Sequence, residues 1–315
     1  MNAPEIQSAE TVKLAGYEDT LHAENLADIQ LGEYGFKYRI LDGLPVSPFI
    51  TPDRYQLSRT LQTRPGDICY VSYPRSGSTW LSYILFLIVE QGKIPTDKIL
   101  RGDSIHWVTS SWPYPRSRDE LDALPSPRIF KNHMPYHMAL GENPANNPCQ
   151  YIYIVRNPKD VVVSYYHFES GQAWTGGYSG PWEHWFKMFL EGKLQRGDWF
   201  NHVLSWWEHR NADNILFLKY EDLRKAFDVE LRKIANFLGY PLSPELAQQI
   251  ADQTAFKNMK HNKFSNMNEA FDPESFFRKG VIGSWKDQFT VAQNEQFDAL
   301  YAERMKDSGL TFDMD

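Results

Sequence analysis

Four short clusters in this sequence combine residue types that do chemistry. Residues 73–80 read Tyr-Pro-Arg-Ser-Gly-Ser-Thr-Trp. A tight turn with one glycine (Gly77), three hydroxyls (Ser76, Ser78, Thr79) and one cation (Arg75) leads there into a helix start. Backbone N–H groups and the helix dipole at such a place favour an anion. The turn is too short for the Gly-x4-Gly-Lys-Ser/Thr cradle of nucleoside triphosphates. Residues 131–135 read Lys-Asn-His-Met-Pro. Lys131 and His133, two apart in an extended segment, face the same side. The imidazole can take a proton near neutral pH, and the ammonium can neutralise a developing oxyanion. Arg156 ends another apolar run, with Ser164 two turns beyond it. Residues 276–280, Phe-Phe-Arg-Lys-Gly, set Arg278 and Lys279 beside Gly280, whose missing side chain lets backbone approach a phosphate. Each cluster alone has a plainer reading: a strand-to-helix turn, a core histidine, a surface salt bridge, a solvated basic turn.

Strand ends and helix starts must hold these residues. Residues 67–72, 150–156 and 214–220 read as strands, and 79–91 as a buried helix. Asn157-Pro158-Lys159-Asp160 supplies an N-cap, a proline at the first helical position and an acid in the first turn. A helix over 221–238 is stopped by Gly239, and Ser243-Pro244 opens another. Thr290-Val291-Ala292-Gln293 is a capping box for a last helix ending near Gly309. Strands separated by helices predict an α/β fold, a parallel sheet with helices on both faces. Binding residues in such sheets lie at the carboxyl ends of the strands, here just after Ser72, Phe130, Val155 and Leu218. Residues 1–30 read as a mobile polar arm, and 110–127 as a surface loop. Residues 262–283 carry Phe264, Phe271, Phe276 and Phe277 among polar neighbours and read as an aromatic loop that closes over something.

The 315 residues suffice for a large core without staples; a chain of this length buries about 75% of its unfolded surface. With 33 basic and 40 acidic residues the net charge is 33 − 40 = −7. That argues against a general nucleic-acid binder, which needs a basic face, but leaves room for a local basic pocket. Two cysteines, Cys69 and Cys149, exclude a disulfide framework and read as free thiols in a reducing compartment. No apolar run reaches the ~20 residues of a membrane span, and the polar start is unlike a signal peptide, so the expected place is the cytoplasm. No clustered His/Cys/Asp spacing suggests a metal.

Taken in order, Tyr73–Trp80, Lys131–Pro135, residues 153–168 and residues 278–285 resemble the cytosolic sulfotransferases, from about Tyr55 to Phe312. The resemblance implies one α/β domain over the whole chain, related to nucleotide kinases. It also implies 3′-phosphoadenylyl sulfate (PAPS) as donor, adenosine 3′,5′-bisphosphate (PAP) as product, and a small-molecule acceptor. Carried over by position, Arg75, Ser76, Gly77, Ser78 and Thr79 would cradle the 5′-phosphosulfate. Arg156, Ser164, Arg278, Lys279 and Gly280 would hold the 3′-phosphate. Trp80 and Phe256 would sandwich the adenine, with Tyr220 and Thr254 touching the nucleoside. His133 would be the general base, assisted by Lys131 and Arg75. Phe168 and Trp107 would line the acceptor pocket.

Residues 286–295 match the family's dimerisation pattern Lys-x-x-x-Thr-Val-x-x-x-Glu through Lys286, Thr290, Val291 and Glu295, implying a homodimer. One departure is plain: most cytosolic members carry Lys where this chain has Arg75, and Thr where it has Ser78. Carbohydrate-modifying members often have Arg there. A carbohydrate or peptide sulfotransferase, a nucleotide-binding protein without catalysis and a small-molecule kinase are the competing readings. The missing anchor speaks against the first, Lys131 and His133 against the second, and the short loop against the third.

Overall fold

The computed structural model describes residues 28–95, 100, 104–111, 115–171, 177–262, 264–265 and 276–314. Most of the expected N-terminal arm, residues 112–114 of the expected surface loop, and Phe271 lie outside the described residues. Five strands, β4 (Ile68–Val71), β5 (Ile105–His106), β6 (Ile129–Asn132), β7 (Gln150–Val155) and β8 (Ile215–Lys219), form a sheet in the order β5-β6-β4-β7-β8. All four pairings are parallel, as expected from strands that alternate with helices. β4 and β7 are apolar on both faces because each face is covered. Cys69, Val71, Tyr151, Tyr153 and Val155 point into one layer with the helices Pro158–Ser170, Trp182–Leu190 and Trp199–Trp207. Ile68, Tyr70, Ile152 and Ile154 point into the other, with Ser78–Val89, Phe227–Leu238 and Pro244–Gln253. Both cysteines are free and buried.

Register positions the chemistry. Val71 is level with Asn132 and Tyr153, and Val155 is level with Lys219. One residue further on, Ser72 therefore stands beside His133, and Arg156 beside Tyr220. That register is anchored at the opposite end of the sheet by a buried pair. Arg128, just before β6, donates from Nε to Asp67 Oδ1 at 3.0 Å and from Nη2 to Oδ2 at 2.5 Å, with both side chains fully buried. The backbone of Asp67 in turn accepts from Gln150 N.

Several expectations are corrected. An antiparallel sheet of β1 (Gln30–Leu31), β2 (Lys37–Leu41) and β3 (Leu44–Val46) precedes the main sheet, so the polar arm ends before Gln30, which is already paired with Tyr38. The loop 110–127 contains a helix, Arg118–Ala123, whose capping box is Ser117 with Glu120. The helix expected over 221–238 is two, Tyr220–Lys225 and Phe227–Leu238, broken at Ala226 (φ −131°, ψ 54°). Alanine favours helix, so the break is tertiary in origin; it accompanies stacking of Phe227 on Trp80 at 5.7 Å. The capping box at Thr290 is present, but the last helix stops at Met305.

The Asp67–Arg128 pair gives a test of the anchoring. Asp67→Ala leaves a fully buried guanidinium without its carboxylate and should destabilise the chain by about 3–5 kcal/mol, measured by urea unfolding. A double variant, Asp67→Leu with Arg128→Met, should recover most of the loss. A loss under about 1 kcal/mol in the single variant would show that the pair does not anchor the sheet.

Candidate active site

The carboxyl ends of β4, β6, β7 and β8 open into one cavity. Its wall includes Arg75, Gly77, Ser78, Thr79, Trp80, Lys131, His133, Arg156, Ser164 and Tyr220. Trp107, Phe168, Thr254, Phe256, Arg278, Lys279 and Gly280 complete the expected set there. Ser76 does not line it; its side chain is buried behind the turn, with Oγ lacking a partner.

The turn after β4 is held in a conformation that extended or helical backbone cannot supply. Arg75 has φ 71° and Gly77 φ 98°. A Cβ on Gly77 would stand 2.7 Å from the Tyr220 ring, so only glycine lets this turn pass under Tyr220. Arg75, with a side chain in the left-handed region, carries strain of about 1–2 kcal/mol. Its side chain reaches several segments: Nε donates to Ser164 Oγ at 3.1 Å, Nη2 donates to the Phe276 carbonyl at 2.9 Å, and the guanidinium lies 4.5 Å from the Phe168 ring centre.

His133 is oriented from behind. Its Nδ1 lies 2.7 Å from the Ser72 carbonyl oxygen, which can only accept, so Nδ1 carries the proton and Nε2 is left as the basic nitrogen. Trp107 packs edge-on against the imidazole at 5.7 Å, and Lys131 Nζ sits 4.0 Å over the Trp107 ring. Beneath, His202 Nε2 donates to the His133 carbonyl at 3.1 Å, while its Nδ1 accepts from Tyr153 OH at 2.9 Å. Complete burial pushes the His202 pKa down to about 3, so that imidazole stays neutral and rigid.

The third cluster converges on a carboxylate. Asp160, fully buried, accepts from the backbone N–H of Gly283 at 2.9 Å and of Trp285 at 3.0 Å, and from Ser284 Oγ at 3.1 Å. Arg156 Nη2 is 3.4 Å from the same carboxylate and donates to the Val281 carbonyl at 2.9 Å; its guanidinium lies 4.7 Å from the Tyr220 ring centre. Arg278 donates to Ser284 Oγ, and its pKa is lowered by burial and then by Arg156. Lys279 is the exposed member, paired with Asp287 at 2.5 Å. Gly280, at φ 64°, is dictated by Phe256, whose ring would lie 2.4 Å from a Cβ there. Thr254 spends its hydroxyl proton on the Ile250 carbonyl.

The aromatic loop divides. Phe276 and Phe277 line the cavity, whereas Phe264 packs into the core at 4.8 Å from Phe86 and does not roof the site. Sequence reasoning also missed Asp160 as organiser, His202 as support, and a polar stretch of wall made by Ser47, Glu169, Gln195 and Arg196. The wall carries no motif, because its members come from three separate segments.

Comparison with known proteins accords with this geometry. The sulfotransferase domain family matches residues 65–309. Sulfotransferase 1C2 of Rattus norvegicus is 35% identical over 292 residues, covering 89% of this chain and 96% of its own. Sulfotransferase 1B1 of Mus musculus is 39% identical over 264 residues, covering 80% and 86%. The crystal structure of mouse sulfotransferase SULT7A1 complexed with PAP superposes with a TM-score of 0.74 at 32% identity, covering 86% of this chain and 96% of that one. With family, fold and cavity in agreement over most of its length, the chain belongs to the sulfotransferase family and is a PAPS-dependent sulfotransferase.

Proposed function

We propose that the chain transfers the sulfuryl group in line to a hydroxyl or amine of a small molecule, with His133 as general base. The observation that carries this is the tautomer of His133. Nδ1–H is committed to the Ser72 carbonyl, which leaves a basic Nε2 on a ring that lines a cavity rich in cations. PAPS supplies a sulfur already bonded to a good leaving group, the 5′-phosphate. The acceptor oxygen bonds to sulfur as the bond from sulfur to phosphate oxygen breaks. The hydroxyl proton passes to Nε2, and the charge leaves on PAP. Lys131 and Arg75 offset charge on the sulfuryl and leaving oxygens, as fixed cations do in phosphoryl transfer.

The donor assignment rests on unspent donors. Arg156 Nε and Arg278 Nε line the cavity and are buried without a protein partner among the described residues. Buried donors are rarely left so, and phosphate oxygens suit them. In this reading the turn from Arg75 to Thr79 cradles the 5′-phosphosulfate. Arg156, Ser164, Arg278, Lys279 and Gly280 take the 3′-phosphate. Trp80 and Phe256 flank the adenine, and Tyr220 and Thr254 touch the nucleoside.

The finer assembly reading is a cytoplasmic homodimer. Val291 is 76% exposed at the start of the last helix, next to Thr290 and between Lys286 and Glu295. A bare β-branched side chain between opposite charges suits a small two-fold contact. No helix among the described residues is long and apolar enough to cross a membrane.

Three measurements test these assignments. His133→Ala should keep PAP affinity within a few-fold and lower turnover at least ~100-fold; near-normal turnover with a hydroxyl acceptor would remove the base. Arg156→Ala should weaken PAPS by roughly 10- to 150-fold and weaken adenylyl sulfate, which lacks the 3′-phosphate, much less. Equal losses for both donors would move Arg156 off that phosphate. Val291→Glu should convert a dimer to monomers in light scattering, since the two-fold sets like charges face to face. A native chain that is monomeric at micromolar concentration would end the dimer reading.

A further inference from the structure

Arg196 is a cavity residue whose chemistry the reaction above leaves unused. It sits in the tight turn between the helices Trp182–Leu190 and Trp199–Trp207, at φ 76°, followed by Gly197 at φ 69°. The backbone closes this turn by itself: Arg196 N donates to the Pro45 carbonyl at 2.7 Å, and Gly197 N donates to the Leu194 carbonyl at 2.8 Å. Glycine or asparagine would hold the left-handed conformation with less strain than arginine. The turn therefore gives no reason for a long cationic side chain.

The side chain lines the cavity and is only 3% exposed. Its Nε and Nη1 are buried with no hydrogen-bond partner among the described residues. Burial lowers its pKa, and Tyr165, Tyr73 and Glu169 act against that. Glu169 favours the charge, yet among the described residues no ion pair joins Arg196 to a carboxylate. A buried guanidinium without a contacting anion is costly unless a ligand supplies one. The donor's cations do not share this wall. Arg156 and Arg278 are tied to the 281–284 segment, whereas Arg196 is tied to β3, and its neighbour Gln195 donates to Lys37 of β2.

We propose that Arg196 recognises a carboxylate on the acceptor, so that the preferred substrate is an alcohol or phenol bearing a carboxylate remote from the sulfated oxygen. This rests on the reading of the cavity as the acceptor site. The carboxylate pairs with the guanidinium, and the aromatic walls at Trp107 and Phe168 hold the apolar body between it and His133. A charge-assisted bond to a buried partner predicts a preference of about 10- to 150-fold over a neutral group of the same shape.

The test is calorimetric titration of 4-hydroxyphenyl alkanoates of increasing chain length, each beside its amide, into the full chain saturated with PAP. The expected result is one acid that binds about 10- to 150-fold more tightly than its amide. In Arg196→Met that ratio should fall to near one with PAP affinity unchanged, and Arg196→Lys should restore part of it. A native chain that prefers no acid at any length, or amides that bind as well as acids, overturns the proposal. So does an Arg196→Met chain that keeps the preference or loses PAP affinity, which would place Arg196 on the donor. The native ratio and Arg196→Lys decide the matter if Arg196→Met fails to fold. Turnover of the same acids separates the two readings. An acid that binds with preference but accepts no sulfuryl group strikes the reaction, while acids and amides sulfated equally well strike only the role of Arg196.

Discussion

Gathering guanidinium groups around one cavity is unfavourable unless a fixed negative charge sits behind them. In this protein that charge is Asp160. Its two oxygens take two backbone N–H groups, one hydroxyl and an Arg156 nitrogen, so the carboxylate is satisfied without water. The helix Pro158–Ser170 brings it there: the Asn157 side chain caps the first turn by accepting from Lys159 N and Asp160 N. The same carboxylate thus neutralises Arg156 and pins the segment that carries Arg278. Burial lowers the pKa of Arg278, repulsion from Arg156 lowers it further, and Asp160 opposes both. An acidic chain can hold a multiply charged anion because its cations are few, convergent and pre-tied rather than spread over a face.

Parallel register carries the rest. A hydrogen-bonded parallel ladder leaves little freedom in which residues end level with one another. Once Arg128 and Asp67 fix one end of the central strands, the other end delivers a backbone carbonyl to the imidazole and a tyrosine ring to a guanidinium. His133 is therefore oriented by main chain, not by a carboxylate. A carbonyl fixes the tautomer of His133 without adding a negative charge next to a site that must admit sulfate.

How much of this could be read from the sequence depends on whether the signal was local. The turn at Arg75–Trp80, the Lys131/His133 spacing, the Asn157 cap and the Thr290 capping box are local, and the structure has them where they were expected. The Ser117–Glu120 box is equally local, but the proline and serine around it read as a loop. The break at Ala226 and the core position of Phe264 follow from packing partners distant in sequence, Trp80 and Phe86, so no window of sequence contains them. The polar wall was hidden for the same reason. Ser47 follows the small antiparallel sheet, Glu169 ends a helix, and Gln195 and Arg196 lie in a turn.

Arginine in place of lysine at position 75 changes how this site can manage charge. An ammonium on a flexible stem can follow a leaving oxygen and can give up a proton; a guanidinium does neither readily. Here its plane is fixed further by Ser164 Oγ, the Phe276 carbonyl and the Phe168 ring. In the proposed reaction Arg75 would therefore act as a stationary positive charge, with the leaving group departing as an anion stabilised in place rather than protonated. Because one of its anchors is the carbonyl of Phe276, Arg75 is coupled to the segment that leads into Arg278. On the proposed assignment, donor binding at one end of that segment and charge stabilisation at the other would be a single structural event. Such coupling lets binding energy from a remote phosphate be used at the reacting centre.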